Sequence, residues 1–545
     1  MERSRKNPAR VCACILSLVS GVGLSAGVAQ SPGLPRIEKS GAAYRLIVDA
    51  KPFFVLGAQV HNSSGWPRQM EEAWPVLKAM HCNTVSVPVY WEATEPEPGH
   101  FDFANVDNIV QGARAHGLHV LLSWFGTWKN GAMTYVPVWV KNDPAKYPPV
   151  MDAAHHPVEA LSPLGDATRV ADARAFAALM KHLKAIDGSA HTVIMVQVEN
   201  EAGTLGSDRD YSAAGDASFA SPVPQDVLAA LGEPATAGAP WSQVFAERAP
   251  EAFMSYWTSR YIDAVAEAGK AEYALPMYVN VWPREQPGLI RPGYSSPSGG
   301  AVAWLLPMWK ATATHVDFIA PDIYDESEDS YQRLLTLYDR PDNPLYVPET
   351  GGSIAHAKNM FLLFSSPNAL GISIFGVDGG MSAAALDADK GWGSEVAENF
   401  ALFGAESHVM RSTSDAGHLQ AAIEEEGLAN PILSFDRFEI AVRFGLVEDN
   451  YGGPRGQGNP QRNGRVLAAQ VAPNEFFVSG MNANLLFAPK LGAKETNAML
   501  LSVEEGSFDS AGVWHTERLL NGDETAFGVI LEPHGTTLRV KVRAY

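Results

Sequence analysis

The chain has 545 residues, 46% of them apolar and 19% charged, with a formal net charge of −20. This composition excludes a disordered chain and supplies enough length for one large core plus smaller domains. The acidic balance disfavours nucleic acid and anionic lipid as partners and leaves neutral or cationic ligands.

The first residues read as an export address. Arg3, Arg5, Lys6 and Arg10 precede an apolar stretch from Val11 to Val22, and Gly27-Val28-Ala29 is a small-residue cleavage site. A signal peptide over 1–29 is expected, with a periplasmic or secreted product and no membrane association after cleavage. The apolar stretch is shorter than the ~20 residues a membrane span needs. Residues 1–29 hold four Lys/Arg and one Asp/Glu, so their removal takes the charge to −23. Cys12 and Cys14 leave with the segment, and Cys82 alone cannot form an internal disulfide.

Residues 30–51 read as a small β lead-in. Eight apolar, β-branched runs then follow at 52–60, 83–91, 119–126, 192–201, 277–282, 317–324, 344–350 and 369–378. Continuous apolar runs imply strands covered on both faces. Helical patterns separate them, as in Glu71–Met80, Asp107–His116, Asp172–Ile186 and Ala252–Gly269. This alternation predicts an α/β fold, a (β/α)8 TIM barrel over 52–410. Two long segments, Gly203–Pro240 and Pro283–Gly300, are either walls of a binding site or surface insertions. Residues 411–545 change character. Short strands at 465–470, 475–480, 498–503, 512–519, 527–531 and 537–543 predict a C-terminal antiparallel, sandwich-like β domain.

Polar and aromatic residues gather where the eight runs end: His61-Asn62, Tyr90-Trp91-Glu92, Trp124, Asn200-Glu201, Asn280, Trp282, Asp322, Tyr324, Glu349 and Asp378. In a barrel these share the C-terminal rim, where active sites lie. Glu201 and Glu349 would face each other across the mouth. Two facing carboxyls are what glycosidic cleavage needs, one to donate a proton and one to attack or to activate water. His61 reads equally as a buried structural histidine, Trp124 as core and Asn130 as surface. His155-His156 lacks a third ligand, Asp387 and Asp389 are too few for a calcium loop, and no phosphate-binding glycine loop occurs. No cofactor and no metal are implied.

Gln197-Val198-Glu199-Asn200-Glu201-Ala202-Gly203 resembles the Q-V-E-N-E-x-G motif of glycoside hydrolase family 35, the β-galactosidases. Val87-Pro88 with Glu95-Pro96-Glu97-Pro98-Gly99-His100-Phe101-Asp102-Phe103 resembles a second stretch of that family. Arg465-Val466-Leu467 and Asn474-Glu475-Phe476 resemble the C-terminal β domain of its bacterial branch. The resemblance spans most of the chain beyond residue 29. It implies a retaining, exo-acting β-galactosidase of β-galactoside oligosaccharides, such as plant cell-wall xyloglucan fragments. Glu201 matches the acid/base and Asn200 the residue that holds the sugar 2-hydroxyl. Glu349 stands where the nucleophile belongs by strand order, with Asp322 and Glu92 as rivals, and Tyr324 beside it as a hydrogen-bond donor. Glu199 matches a position outside the catalytic pair. Ala202 replaces the usual Tyr, and the third strand lacks the acidic sugar-binding signature. The sugar site would then draw on Asn62, Trp124, Trp128, Asn130 and Asp322. Two alternatives stay open: another β-glycosidase of the same clan (a β-glucosidase, a β-mannosidase or an α-L-arabinopyranosidase), and a non-catalytic sugar-binding protein on this scaffold.

Overall fold

A computed structural model describes residues 33–41, 43–234, 238–284, 291–379, 392–413, 418–426, 431–444, 461–509 and 512–545. The export segment, Asp387 and Asp389 lie outside the described residues.

Eight parallel strands form one sheet: β1 (Val55–Gln59), β2 (Thr84–Tyr90), β3 (His119–Lys129), β4 (Val193–Asn200), β5 (Met277–Val281), β6 (Phe318–Pro321), β7 (Leu345–Val347) and β8 (Ala369–Phe375). The order runs β6-β5-β4-β3-β2-β1-β8-β7, so β6 and β7 are the two ends. They meet through the Ile323 N–H, which donates to the Glu349 carbonyl at 3.0 Å, and through Asn343, whose side-chain oxygen accepts from Ile319 N–H at 2.9 Å. This seam closes the barrel.

A helix follows each strand: α1 (Pro67–Ala79), α2 (Ala104–Ala115), α3 (Asp166–Asp187), α4 (Ala249–Glu272), α5 (Leu306–Thr312), α6 (Glu328–Tyr338), α7 (Ile354–Phe364) and α8 (Ser394–Thr413). Strands and helices share one large apolar layer that includes Trp74, Phe176, Phe253, Trp309 and Phe361. The strands are buried on both faces, which is why they read as unbroken apolar runs.

The barrel interior is graded. Leu46 and Val48 from a three-stranded antiparallel sheet (Arg36–Ser40, Ala43–Val48, Lys51–Phe53) pack with Val55, Leu121, Ile194, Tyr278, Phe318, Tyr346 and Leu370. The lead-in is thus an apolar plug. Hydroxyl pairs come next, Ser86 with Ser123 at 3.3 Å and Tyr346 with Ser373 at 2.8 Å. Amides and carboxyls fill the C-terminal end: Gln59, Gln197, Asn280, Asp322 and Glu349 are all at most 4% exposed.

The described parts of the two long segments wall one side of the rim. Thr204 and Ser298 exchange backbone bonds at 2.8 and 2.9 Å, Gly206 N–H reaches the Gly293 carbonyl at 2.7 Å, and Leu205 N–H reaches the Gly131 carbonyl at 3.0 Å. Gly203 (φ +138°) lies under this wall. A Cβ there would sit 2.7 Å from the Ser298 carbonyl oxygen, which gives the motif glycine a packing reason.

After α8 the chain forms a six-stranded and a four-stranded antiparallel sheet around a second apolar core. Four strands here go beyond the expected set: Leu419–Ile423, Ile432–Ser434, Phe438–Phe444 and Ala483–Pro489. Arg465 fastens this unit to the barrel. Its fully buried guanidinium pairs with the Glu395 carboxylate at 2.8 Å and donates to Asn399 Oδ1 at 2.7 Å, both on α8. Breaking a buried pair strands the remaining charge. Arg465→Ala is expected to cost about 3–5 kcal/mol, read as a lower midpoint of urea unfolding. Arg68→Ala, at an exposed pair with Glu72, should cost no more than about 0.5 kcal/mol. Equal midpoints for the two variants would refute a fastening role for Arg465.

Candidate active site

The backbone leaves β4 in an irregular path. Glu199 (φ 64°) and Glu201 (φ 44°) both adopt left-handed conformations around Asn200. Such values are costly for residues with a side chain and persist where the surroundings enforce them. Here Glu201 N–H donates to Asn280 Oδ1 at 2.8 Å, and Asn130 N–H donates to the Asn200 carbonyl at 3.2 Å.

Three buried carboxyls converge. One oxygen each from Glu201, Asp322 and Glu349 lies within 4.8 Å of the others. Glu349, two residues past β7, accepts from Gln59 Nε2 at 3.0 Å and Asn200 Nδ2 at 3.3 Å on Oε1, and from the Tyr324 hydroxyl at 3.0 Å on Oε2. Asp322, one residue past β6, accepts from Asn280 Nδ2 at 2.8 Å on Oδ2. Burial first, and then the Glu349 charge, push the Glu201 carboxyl up to about 8; Lys129 and hydrogen bonds with Asp322 and Trp282 pull it down. Burial, followed by the charges of Glu349 and Glu201, holds Asp322 well above the ordinary carboxylate range. An all-oxygen trio also suits a hard cation. In this trio, however, neutral donors already serve two of the three carboxyls and the Lys129 ammonium supplies positive charge.

Lys129 was not anticipated from sequence. It is 6% exposed, ends β3, and donates to Asn200 Oδ1 at 2.8 Å and to Asn130 Oδ1. Gln59, the last residue of β1, was also missed as a partner of Glu349. Its position at a strand end was the available signal.

The structure therefore groups Glu201, Glu349, Asn200, Tyr324 and Asp322 directly, with Asn130 joined through Lys129. The side chains of Asn62 and Trp128 make no bond to this group. Among the described residues, Asn62 Oδ1 is buried without a hydrogen-bond partner, as is the Trp128 indole nitrogen. Trp128 is 1% exposed, its ring edge-on to Tyr261 at 4.7 Å. It is a packed wall rather than an open sugar platform. Trp124 is likewise core, its indole donating to Asp172 at 2.8 Å. His61 binds Asp378 through backbone and ring at 2.8 and 3.0 Å. Glu92 stands apart, half-exposed beside Lys141 at 3.9 Å.

The sequence comparisons bear on these residues. Residues 61–231 match a family model described as beta-galactosidase, that of glycoside hydrolase family 42. The chain is β-galactosidase-like. Residues 396–532 match a model described as a domain of unknown function. A beta-galactosidase of Xanthomonas manihotis is 27% identical over 209 residues, covering 36% of this chain and 31% of the relative. Beta-galactosidase 8 of Oryza sativa subsp. japonica is 26% identical over 170 residues, covering 30% and 23%. The chain thus spans about a third or less of these relatives. The solved beta-galactosidase of the psychrophilic Marinomonas ef1 superposes with a TM-score of 0.45 at 12% identity, over 64% of this chain and 59% of that one. The family 35 resemblance is not what the family model names; family 42 is a related family.

Behind the site, Glu199 forms a second acid cluster. Its Oε2 accepts from Trp128 N–H at 2.7 Å, and its carboxyl stands near that of Asp172 on α3, which accepts from Trp124, Thr127 and Tyr261. Burial first, then the Asp172 charge, raise the Glu199 carboxyl well above its ordinary value. A carboxyl raised in the fold stabilises it fully below the unfolded value of about 4.3. That contribution is lost as pH rises toward the folded value. The thermal midpoint of the wild type should therefore fall more steeply as pH rises above about 4.3 than that of Glu199→Gln. Parallel slopes would show that the pair binds no extra proton in the fold.

Proposed function

We propose that this chain is a retaining, exo-acting β-galactosidase that removes terminal β-D-galactosyl residues from oligosaccharides. The observation that carries this reading is the facing pair Glu201 and Glu349, brought from β4 and β7 to within 4.8 Å between nearest oxygens. Retaining glycosidases hold their two carboxyls ~5–5.5 Å apart, whereas inverting ones need ~6.5–9.5 Å to admit a water.

Glu349 attacks the anomeric carbon as Glu201 gives its proton to the leaving oxygen and the glycosidic C–O bond breaks. The sugar is then held as an ester of Glu349. Glu201, now ionised, takes a proton from water, and the water oxygen attacks the same carbon and frees the Glu349 carboxylate. Three neutral donors hold the attacking carboxylate in place. Burial keeps Glu201 protonated at neutral pH, as a general acid requires.

The galactose assignment rests on the β-galactosidase-like sequence of residues 61–231 and on the two family 35 motifs. Those motifs, with the resemblance of the C-terminal strands to a bacterial branch, favour plant cell-wall xyloglucan fragments as the natural source. Export through the basic and apolar start of the chain would place the enzyme where such fragments occur.

On a panel of aryl β-D-glycosides, galactoside turnover should dominate, and proton NMR should show the β-anomer as the first product. Release of the α-anomer would overturn retention. Glu201→Gln should lower kcat/KM by ~10²–10⁴-fold on substrates with poor leaving groups, and Glu349→Gln by at least as much. An active Glu349→Gln would move the nucleophile to Asp322. For the wild type, kcat/KM should decline above about pH 8, where Glu201 loses its proton.

A further inference from the structure

Asn200 carries two chemically opposite ends of nearly equal shape, and its partners decide which end faces the nucleophile. Lys129 has three donors and no acceptor. Its Nζ lies 2.8 Å from Asn200 Oδ1, which leaves Asn200 Nδ2 to point at Glu349 Oε1, 3.3 Å away. The placement is built into the sheet. The β3–β4 pairing runs in register from Leu121 opposite Met195 to Trp124 opposite Val198, then skips to Lys129 opposite Asn200. The residues skipped on β3 make this bulge, and Asn130 N–H pins its far side to the Asn200 carbonyl at 3.2 Å. The Asn130 side chain takes a second Lys129 proton.

We infer that Lys129 is a positioning residue that fixes the polarity of the Asn200 amide, so that Nδ2 is presented to the nucleophile and to the hydroxyl next to the anomeric carbon of a bound sugar. Two donor sites of the ammonium are committed to Asn200 and Asn130, and the residue is buried, so the third is available to the same sugar. The inference rests on the glycosidase reading. It differs from a counter-ion role. A buried cation that merely offset Glu201, Asp322 and Glu349 would act whatever residue stood at 200, and whether or not the sugar carried a 2-hydroxyl.

The test is a double-mutant cycle with Lys129→Met, Asn200→Ala and the double variant, read as kcat/KM on the preferred aryl glycoside and on its 2-deoxy counterpart. Lys129→Leu runs beside Lys129→Met, so that a misfolded protein, detected by circular dichroism, leaves the cycle readable. Lys129→Met is expected to cost ~10–100-fold on the hydroxylated substrate, the range for a lost charge-assisted hydrogen bond. On the 2-deoxy substrate, and in the Asn200→Ala background, it should cost less than about threefold. Equal losses in both backgrounds and on both substrates would overturn the inference and leave the glycosidase reading standing. A wild type inactive on every glycoside would overturn both.

Discussion

Three carboxyls crowd one dry pocket, and the rest of the molecule is arranged around that constraint. Three negative charges with oxygens inside 4.8 Å cannot all be ionised at neutral pH. The pocket answers with one buried ammonium, Lys129, with neutral donors from Gln59, Asn200, Asn280 and Tyr324, and with the Glu201 and Asp322 carboxyls pushed up from their ordinary range by burial and by the Glu349 charge. The contributors come from six different strands or strand ends. Only a closed barrel holds so many ends at fixed separations. The plugged, apolar base supplies the rigidity, and the polar grade toward the rim supplies the chemistry.

The left-handed residues at 199 and 201 explain how three successive polar side chains serve three places. In a regular strand Glu199 and Glu201 would share a face. The two positive φ angles break that alternation. Glu199 turns outward to Asp172 and the α3 side of the wall, Asn200 points at Glu349, and Glu201 enters the pocket. The two acids on either side of Asn200 therefore do different work. One is sealed into a carboxyl pair behind Trp128. The other sits beside the Glu349 charge.

The eight strands were legible because each is buried on both faces and so reads as an apolar run. The rim was legible because polar residues interrupt those runs at their ends. Glu349 could be reached from strand order alone, since Pro348-Glu349-Thr350 carries no local signature. Lys129 and Gln59 were not legible as partners. Their roles depend on a bulge and on pairing across 71 and 290 positions of sequence, which spacing does not encode. Asp172 sits in a helix whose pattern reads as an ordinary amphipathic one, so its approach to Glu199 left no trace. Trp128 misled because its aromatic character fits a sugar platform, while the fold spends it on packing against Tyr261. In the C-terminal unit, the missed strand Phe438–Phe444 alternates buried and half-buried positions, and such alternation gives a weaker signal than a continuous run.

The C-terminal sheets bear on the same pocket through the half of the barrel that carries Asp322, Tyr324 and Glu349. Arg465 holds Asn399 on α8, and Asn399 in turn donates to the Ala357 carbonyl on α7 at 2.8 Å. Lys358, also on α7, reaches across to the Glu424 carbonyl. Two residues earlier, His356 Nε2 donates to the Tyr324 carbonyl at 3.1 Å, and the Tyr324 hydroxyl donates to Glu349. The seam between β6 and β7 is the part of the barrel where strand pairing is thinnest, carried by a few isolated bonds rather than a ladder. Helix α7 also holds the segment that follows β6, where Asn359 Nδ2 donates to the Glu326 carbonyl at 3.1 Å. A domain clamped onto α7 and α8 is therefore tied, through His356, to the segment after β6 that carries Tyr324. The second core thus reaches the carboxyl pocket without touching it, through α8, α7 and the Tyr324 backbone.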